Sequence, residues 1–309
     1  MIQKKLQHSF SDVTTKLIPN KFDKIKSLID WSKIEIILES LYSKNSGRPA
    51  YPPVMMFRCL LLAQLHNLSD YELEYQMQNR IDFRKFAGFS LECSIPDHSS
   101  YSRFRDRMIR ANLSKSLFDA IVRQLDDLGY TAKSGSIVDA TIVETHKNDK
   151  EGGTTVRKNK VIHGYKAHVS SDVKSSIVRN YCVSSANAHD SQFLEKVIVG
   201  DEGEVLADKA YDSKRIRQKL RSLGIRPKIM RKKKPGRALS AYLSSCNQSI
   251  SPVRAGIEKI FGSIKRWYGG RIFPYVGLKK FELLWSLKLS IYNLRRATNI
   301  GNPRFYKVC

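Results

Sequence analysis

Acidic residues are scarce in this chain of 309 residues: 29 Asp and Glu stand against 54 Lys and Arg, a formal net charge of +25. Between Asp212 and Glu258 there is no acidic residue at all, while the same span carries thirteen Lys and Arg. A merely solvated surface mixes both signs. This deficit points instead to a polyanionic partner, since cations that neutralise phosphates gain free energy from counterion release. Paired cysteines are missing too. Cys59, Cys93, Cys182, Cys246 and Cys309 are scattered, odd in number and without a CxxC pair, which argues against a disulfide framework or a thiolate zinc site and suits reduced thiols. Long apolar runs are absent. Val54 to Leu65 is interrupted by Arg58 and too short to span a bilayer, and Met1 to Phe10 is polar and basic, with no apolar block to make it a secretory signal. The expected location is cytoplasmic. What is present is ordinary: 41% apolar residues, enough for one large domain or two modest ones with a real core.

To about Gly129 the pattern is helical. Pro52-Pro53 opens a helix with Met56, Leu60, Leu61 and Leu65 at helical spacing, and Ser69 with Glu72 forms a capping-box pattern. Pro96-Asp97-His98-Ser99-Ser100 starts a basic helix carrying Arg103, Arg105, Arg107 and Arg110, and a further helix from about Ser114 ends at Gly129. Such helices suit either a helix-turn-helix docked in a DNA groove, with Arg103 and Arg105 as contacts, or a bundle with a solvated basic face. After Gly129 strands take over: Ile137 to Val143, Val161 to Ser170, Ser176 to Val183, Val205 to Asp208 and Ile225 to Ile229. A polar loop, Lys147 to Lys160, separates the first two. Helices are expected over Asp190 to Val199, Ser213 to Leu223, Pro252 to Tyr268 and Phe281 to Leu294, with a basic loop at Arg231 to Arg237.

That element order predicts an α/β fold: a ribonuclease H-like catalytic domain over residues 130–309, with a mixed five-stranded sheet and flanking helices, preceded by an all-α DNA-binding domain over 1–129. In such a sheet the first and fourth strands are neighbours, which would bring Asp139 and Asp208 within reach of one metal pair. On the Pro252 to Tyr268 helix, Arg254, Glu258, Gly262 and Lys265 share one face, and Ile257, Ile260, Phe261, Ile264 and Trp267 lie opposite. Taken alone, Glu258 between helical-neighbour cations reads as a surface ion-pair ladder. Inside a basic field depleted of acids, it reads as the third carboxylate of a site for two hard cations.

Five motifs stand in order: Val138-Asp139-Ala140-Thr141, His163-Gly164-Tyr165-Lys166-Ala167-His168-Val169, Ala188-His189-Asp190-Ser191, Ala207-Asp208-Lys209-Ala210-Tyr211-Asp212-Ser213, and Arg254-x3-Glu258-x6-Lys265. Together they closely resemble the DDE transposases of bacterial insertion sequences, particularly the insertion-sequence-five group. The resemblance runs from about Pro52 to Ala297 and takes in Ile95 to Ser100 with Arg103-Phe104-Arg105. It implies that Asp139, Asp208 and Glu258 bind catalytic Mg²⁺, with Mn²⁺ able to substitute, and that Arg254 and Lys265 contact DNA phosphates. It further implies a homodimer on paired element ends, acting on terminal inverted repeats and target DNA in a bacterial nucleoid. Lys166, Lys209, Tyr211, Lys232, Lys233 and Lys234 complete the expected DNA contacts. Relatives often carry a tyrosine three residues before the arginine; here the position is Ser251.

Other acids and histidines near the motifs compete for these roles. Asp190 reads as a helix cap, Asp212 as part of a helix start and Glu144 as solvated. His146, His163, His168 and His189 suit hard Mg²⁺ poorly. Trp267 and Tyr268 read as core or flank residues. The alternatives to a transposase are a metal-dependent nuclease that does not join strands, and a catalytically silent DNA-binding relative.

Overall fold

A computed structural model describes residues 21–42, 50–157, 159–233, 236 and 238–301. Seven helices precede the first strand among these residues: α1 (Lys21–Leu28), α2 (Trp31–Glu39), α3 (Pro53–His66), α4 (Asp70–Asn79), α5 (Ile81–Ala87), α6 (His98–Arg110) and α7 (Ser114–Asp127). Their ends are chemically marked. Ser69 and Glu72 cap α4 reciprocally, as the sequence predicts. Asp97 caps α6 by accepting the Ser100 amide at 2.6 Å, and these hydrogen bonds hold its carboxyl down at about 2. The Ile95 to Ser100 motif is thus a helix start.

The sheet follows: β1 (Ser136–Glu144), β2 (Gly153–Arg157), β3 (Lys160–Asp172), β4 (Val178–Ser185), the one-turn α8 (Leu194–Val197), β5 (Glu204–Ala207), α9 (Lys214–Ser222) and β6 (Arg226–Ile229). Two long helices close the chain, α10 (Ala241–Trp267) and α11 (Leu278–Ile300). β1 pairs antiparallel with β3 and parallel with β5, and β5 pairs parallel with β6. β2 and β4 share the long β3, pairing with its first and second halves. The order β4-β3-β1-β5-β6 is that of a ribonuclease H-like sheet.

Three expectations change. The loop predicted over 147–160 contains β2, a sixth strand on the sheet's edge. The helix predicted over Asp190 to Val199 is a 3₁₀ turn (Asp190–Gln192) and then α8. The helix predicted to begin at Pro252 begins eleven residues earlier, with Pro252 inside it.

The two faces of the sheet bury different partners. Ile137, Val143, Ala167, Val169 and Leu206 pack with Ile257, Ile260 and Ile264 of α10, in a core continuous with that of the helical region. Val138, Val205 and Ala207, on the opposite face, pack with α8 and α9. α11 lies against α7, α3, α1 and β4. Asn293 ties it to the sheet, its side chain accepting the Val178 N–H at 2.8 Å and donating to the Val178 carbonyl at 2.7 Å. Among the described residues no helix is long and apolar enough to cross a membrane.

Candidate active site

Register decides which carboxylates meet. Val138 of β1 stands opposite Ala207 of β5, so Asp139 and Asp208, each one residue further on, emerge side by side toward α10. Asp139 Oδ1 accepts the Ala140 N–H at 2.8 Å, and Asp208 Oδ1 accepts the Lys209 N–H at 2.7 Å while capping the 3₁₀ turn Lys209–Tyr211. Burial pushes the Asp139 carboxyl up to about 6; the Ala140 N–H and Arg254 oppose the shift, and the charges of Asp208 and Asp190 reinforce it.

α10 supplies the rest. It crosses β1 closely enough that a Cβ on Gly256 would touch Ile137 at 3.4 Å. This places Arg254 to donate from Nη1 to Asp139 Oδ2 at 2.8 Å and from Nη2 to Glu258 Oε1 at 2.9 Å. Arg254 is largely covered, whereas the Glu258 side chain is 60% exposed, making it the solvent-facing carboxylate. Lys265 donates to the Ile142 carbonyl at 2.7 Å, and burial, then the charge of Arg157, pulls its ammonium below the usual lysine range.

The donor set is all carboxylate oxygen, which suits hard divalent cations. Asp139, raised by burial and by a neighbouring carboxylate, is a position where positive charge is favoured. Yet among the described residues no three His, Cys, Asp or Glu side chains stand together as a metal cluster. Arg254 bridges Asp139 and Glu258, so its guanidinium supplies the positive charge here.

The other predicted contacts divide. Lys209, Lys232 and Lys233 are exposed, and Arg103 is largely so, with Asp97 at 3.7 Å. Lys234 lies outside the described residues. Tyr211 is a correction: it is buried in the core with Ile216 and Leu220 and presents no surface to DNA. Arg105 is also spoken for, pairing through both guanidinium nitrogens with Asp70 at 2.5 and 2.6 Å. Lys166 lies opposite Ile142 in the ladder, on the face of the sheet away from Asp139. Its ammonium donates to the Ala188 carbonyl at 2.8 Å and pairs with Asp190 at 2.9 Å. Asp190 is therefore an ion-pair partner; His189 is the cap of that turn.

The remaining motif residues are architectural. A Cβ on Gly164 would lie 2.0 Å from the Val143 carbonyl oxygen, so only glycine lets β3 pair this closely with β1. The Tyr165 hydroxyl donates to Asp149 at 2.5 Å, and His168 is buried against Phe193 and Ser184. Asp149, read only as part of a polar loop, is buried. Asp212 collects Arg217, Arg231 and the Lys232 N–H. Trp267, expected as core or flank, is 57% exposed, whereas Tyr268 is buried.

Two family models match the chain. The family model of a transposase domain (DUF772) matches residues 12–107, and that of the Transposase DDE domain matches residues 130–294. Among solved structures, a piggyBac transposase synaptic complex with hairpin DNA aligns at 10% identity and a TM-score of 0.48, over 93% of this chain and 78% of that one. A pre-cleavage Mos1 transpososome aligns at 10% identity and a TM-score of 0.22, over 92% and 98%. The Transposase DDE domain spans more than half of the 309 residues, and the chain belongs to the DDE transposases, enzymes that act on DNA.

Proposed function

We propose that this transposase, of the insertion-sequence-five kind, cuts DNA at the terminal inverted repeats of its element and joins the freed 3′-hydroxyl to target DNA. Asp139, Asp208 and Glu258 are its metal-binding carboxylates. The observation that carries this reading is the convergence of Asp139 and Asp208 from neighbouring parallel strands under the α10 face that bears Arg254 and Glu258.

Enzymes of this family use divalent metal ions; here Mg²⁺ is the expected pair, with Mn²⁺ able to replace it. Bound divalent ions would activate the attacking water or 3′-hydroxyl and stabilise the leaving oxygen. The chain's own residues do the placing. Asp139 and Asp208 are fixed by the N–H groups of Ala140 and Lys209, whereas the exposed Glu258 closes the set once Arg254 lets it go. Arg254 then turns to a DNA phosphate, with Lys265 and Lys209 alongside. Lys232 and Lys233 extend the track of positive charge. Residues 1–129, including Arg103, form the leading DNA-binding part and 130–309 the catalytic part. Two copies on paired ends allow both cuts to be coordinated.

The test is a labelled duplex taken from DNA flanking the coding sequence, incubated with Mg²⁺, Mn²⁺ or EDTA. Cleavage at the element end with EDTA-sensitive joining to a second duplex supports a transposase. Cleavage without joined product supports the nuclease alternative, and binding without cleavage supports a silent relative.

A further inference from the structure

The far flank of α10 from Glu258 borders a groove of about 520 Å³ between α10 and α11. At a hundred degrees per residue, Lys259, Ser263 and Trp267 lie roughly opposite Arg254, Glu258 and Lys265 around the helix. Arg295 and Arg296 of α11 form the other wall, with Asn299 beside them. Among the described residues no carboxylate lines this groove, and none of Lys259, Arg295 or Arg296 makes an ion pair. Among the described residues their hydrogen-bond partners are neutral: Arg295 reaches the Tyr268 hydroxyl at 3.5 Å and Arg296 donates to the Ser175 carbonyl at 2.8 Å. Trp267, 57% exposed, adds an aromatic group at the mouth, whereas Trp31 and Trp285 are buried.

The solvent-facing ridge between the two flanks is low over residues 255–262, and Arg266, one turn further on, folds over the Trp267 ring at 4.8 Å. Ala255 and Gly262 fall on it, and a Cβ on Gly262 would meet nothing within 4 Å. An α-helix with its side chains is about 10–12 Å across, close to the roughly 12 Å width of the B-DNA major groove. We propose that α10 seats in the major groove at the element end. The cleaved strand then lies on the Asp139 flank, and the backbone of the complementary strand lies in the Lys259–Arg295–Arg296 groove. This rests on the transposase reading of the carboxylate site, and it adds a second phosphate-binding site on the opposite side of the catalytic helix.

The test compares wild type with the triple variant Lys259→Gln, Arg295→Gln, Arg296→Gln, and with Arg295→Lys, Arg296→Lys, on the duplex from the element end. Thermal unfolding of each variant is followed in parallel. Each phosphate contact contributes about 0.9 to the slope of log affinity against log salt, so the glutamine variant should show a slope shallower by about two to three. The lysine variant should keep the slope. Ethylation of complementary-strand phosphates should impair binding by wild type and not by the glutamine variant, and DNA should alter the fluorescence of wild type and not of Trp267→Phe. A normally folded glutamine variant with an unchanged slope and ethylation pattern overturns the groove, while wild-type cleavage leaves the transposase reading intact. Failure of wild type to bind or cut the end sinks both.

Discussion

Arg254 and Asp139, 115 positions apart in sequence, meet at 2.8 Å, and the other terminal nitrogen of the same guanidinium holds Glu258 at 2.9 Å. One cation thus occupies two of the three carboxylates assigned to metal. In the absence of DNA, Arg254 and a divalent ion should compete for them. Arg254→Gln is expected to tighten Mn²⁺ binding to the DNA-free protein several-fold, measured by calorimetry. The same substitution should weaken binding of the element end and make its salt slope shallower by about one. Unchanged Mn²⁺ affinity would show that the bridge does not restrain the site.

Lys166 offers a contrasting case. Its ammonium is held by Asp190 and the Ala188 carbonyl on the far face of the sheet. Lys166→Ala should therefore leave the salt slope of DNA binding unchanged while reducing cleavage, because Asp190 loses its counter-charge and its field is felt at Asp139. A shallower slope in that variant would place Lys166 on the DNA instead.

Gly164→Ala forces a methyl to within 2.0 Å of the Val143 carbonyl oxygen. Strand β3 must then move from β1, the strand that carries Asp139. Overpacking of this kind costs about 1–3 kcal/mol or more, and the expected result is a lower denaturation midpoint together with loss of metal-dependent cleavage. A midpoint equal to wild type would mean that the ladder absorbs the methyl without strain.

Much of this arrangement is legible in the sequence because burial leaves a period. The alternation around Asp139 and the short apolar run before Asp208 mark β1 and β5, and the apolar positions Ile257, Ile260, Phe261 and Ile264 mark the core face of α10. Where burial is weak the signal fades. Strand β2 is mostly exposed on the sheet's edge, so it reads as loop. The first eleven residues of α10 are Ser-rich and largely exposed, so Pro252 looks like a helix start when it is an interior residue. Pairings across long sequence separations leave no local pattern. Arg254 with Asp139, Lys166 with Asp190 and Arg105 with Asp70 are all of this kind. A buried tyrosine and an exposed one also look alike in a motif, which is why Tyr211 is misassigned.

His168 gives the fold a pH dependence. Burial, chiefly, lowers its pKa from the usual 6.5 to about 4, so between these values the unfolded chain binds a proton that the folded chain does not. Stability from this group is complete above about pH 6.5 and falls as pH drops toward 4, by about 3 kcal/mol at full extent at 1.36 kcal/mol per unit. His66, also brought down to about 4 mainly by burial, acts in the same sense. Chemical denaturation across this range should show the loss, and His168→Gln, which can keep a hydrogen bond to Ser184, should show less of it. An equal acid dependence in wild type and variant would remove His168 from this role.

The most direct test of the triad is cleavage of the end-labelled duplex from the element end in Mg²⁺ or Mn²⁺, comparing wild type with Asp139→Ala, Asp208→Ala and Glu258→Ala. DNA binding is measured in parallel for each. All three variants are expected to bind the duplex and to lose metal-dependent cutting completely. A variant that still cuts at the element end would contradict the assignment of that carboxylate, and with it the site built around β1, β5 and α10.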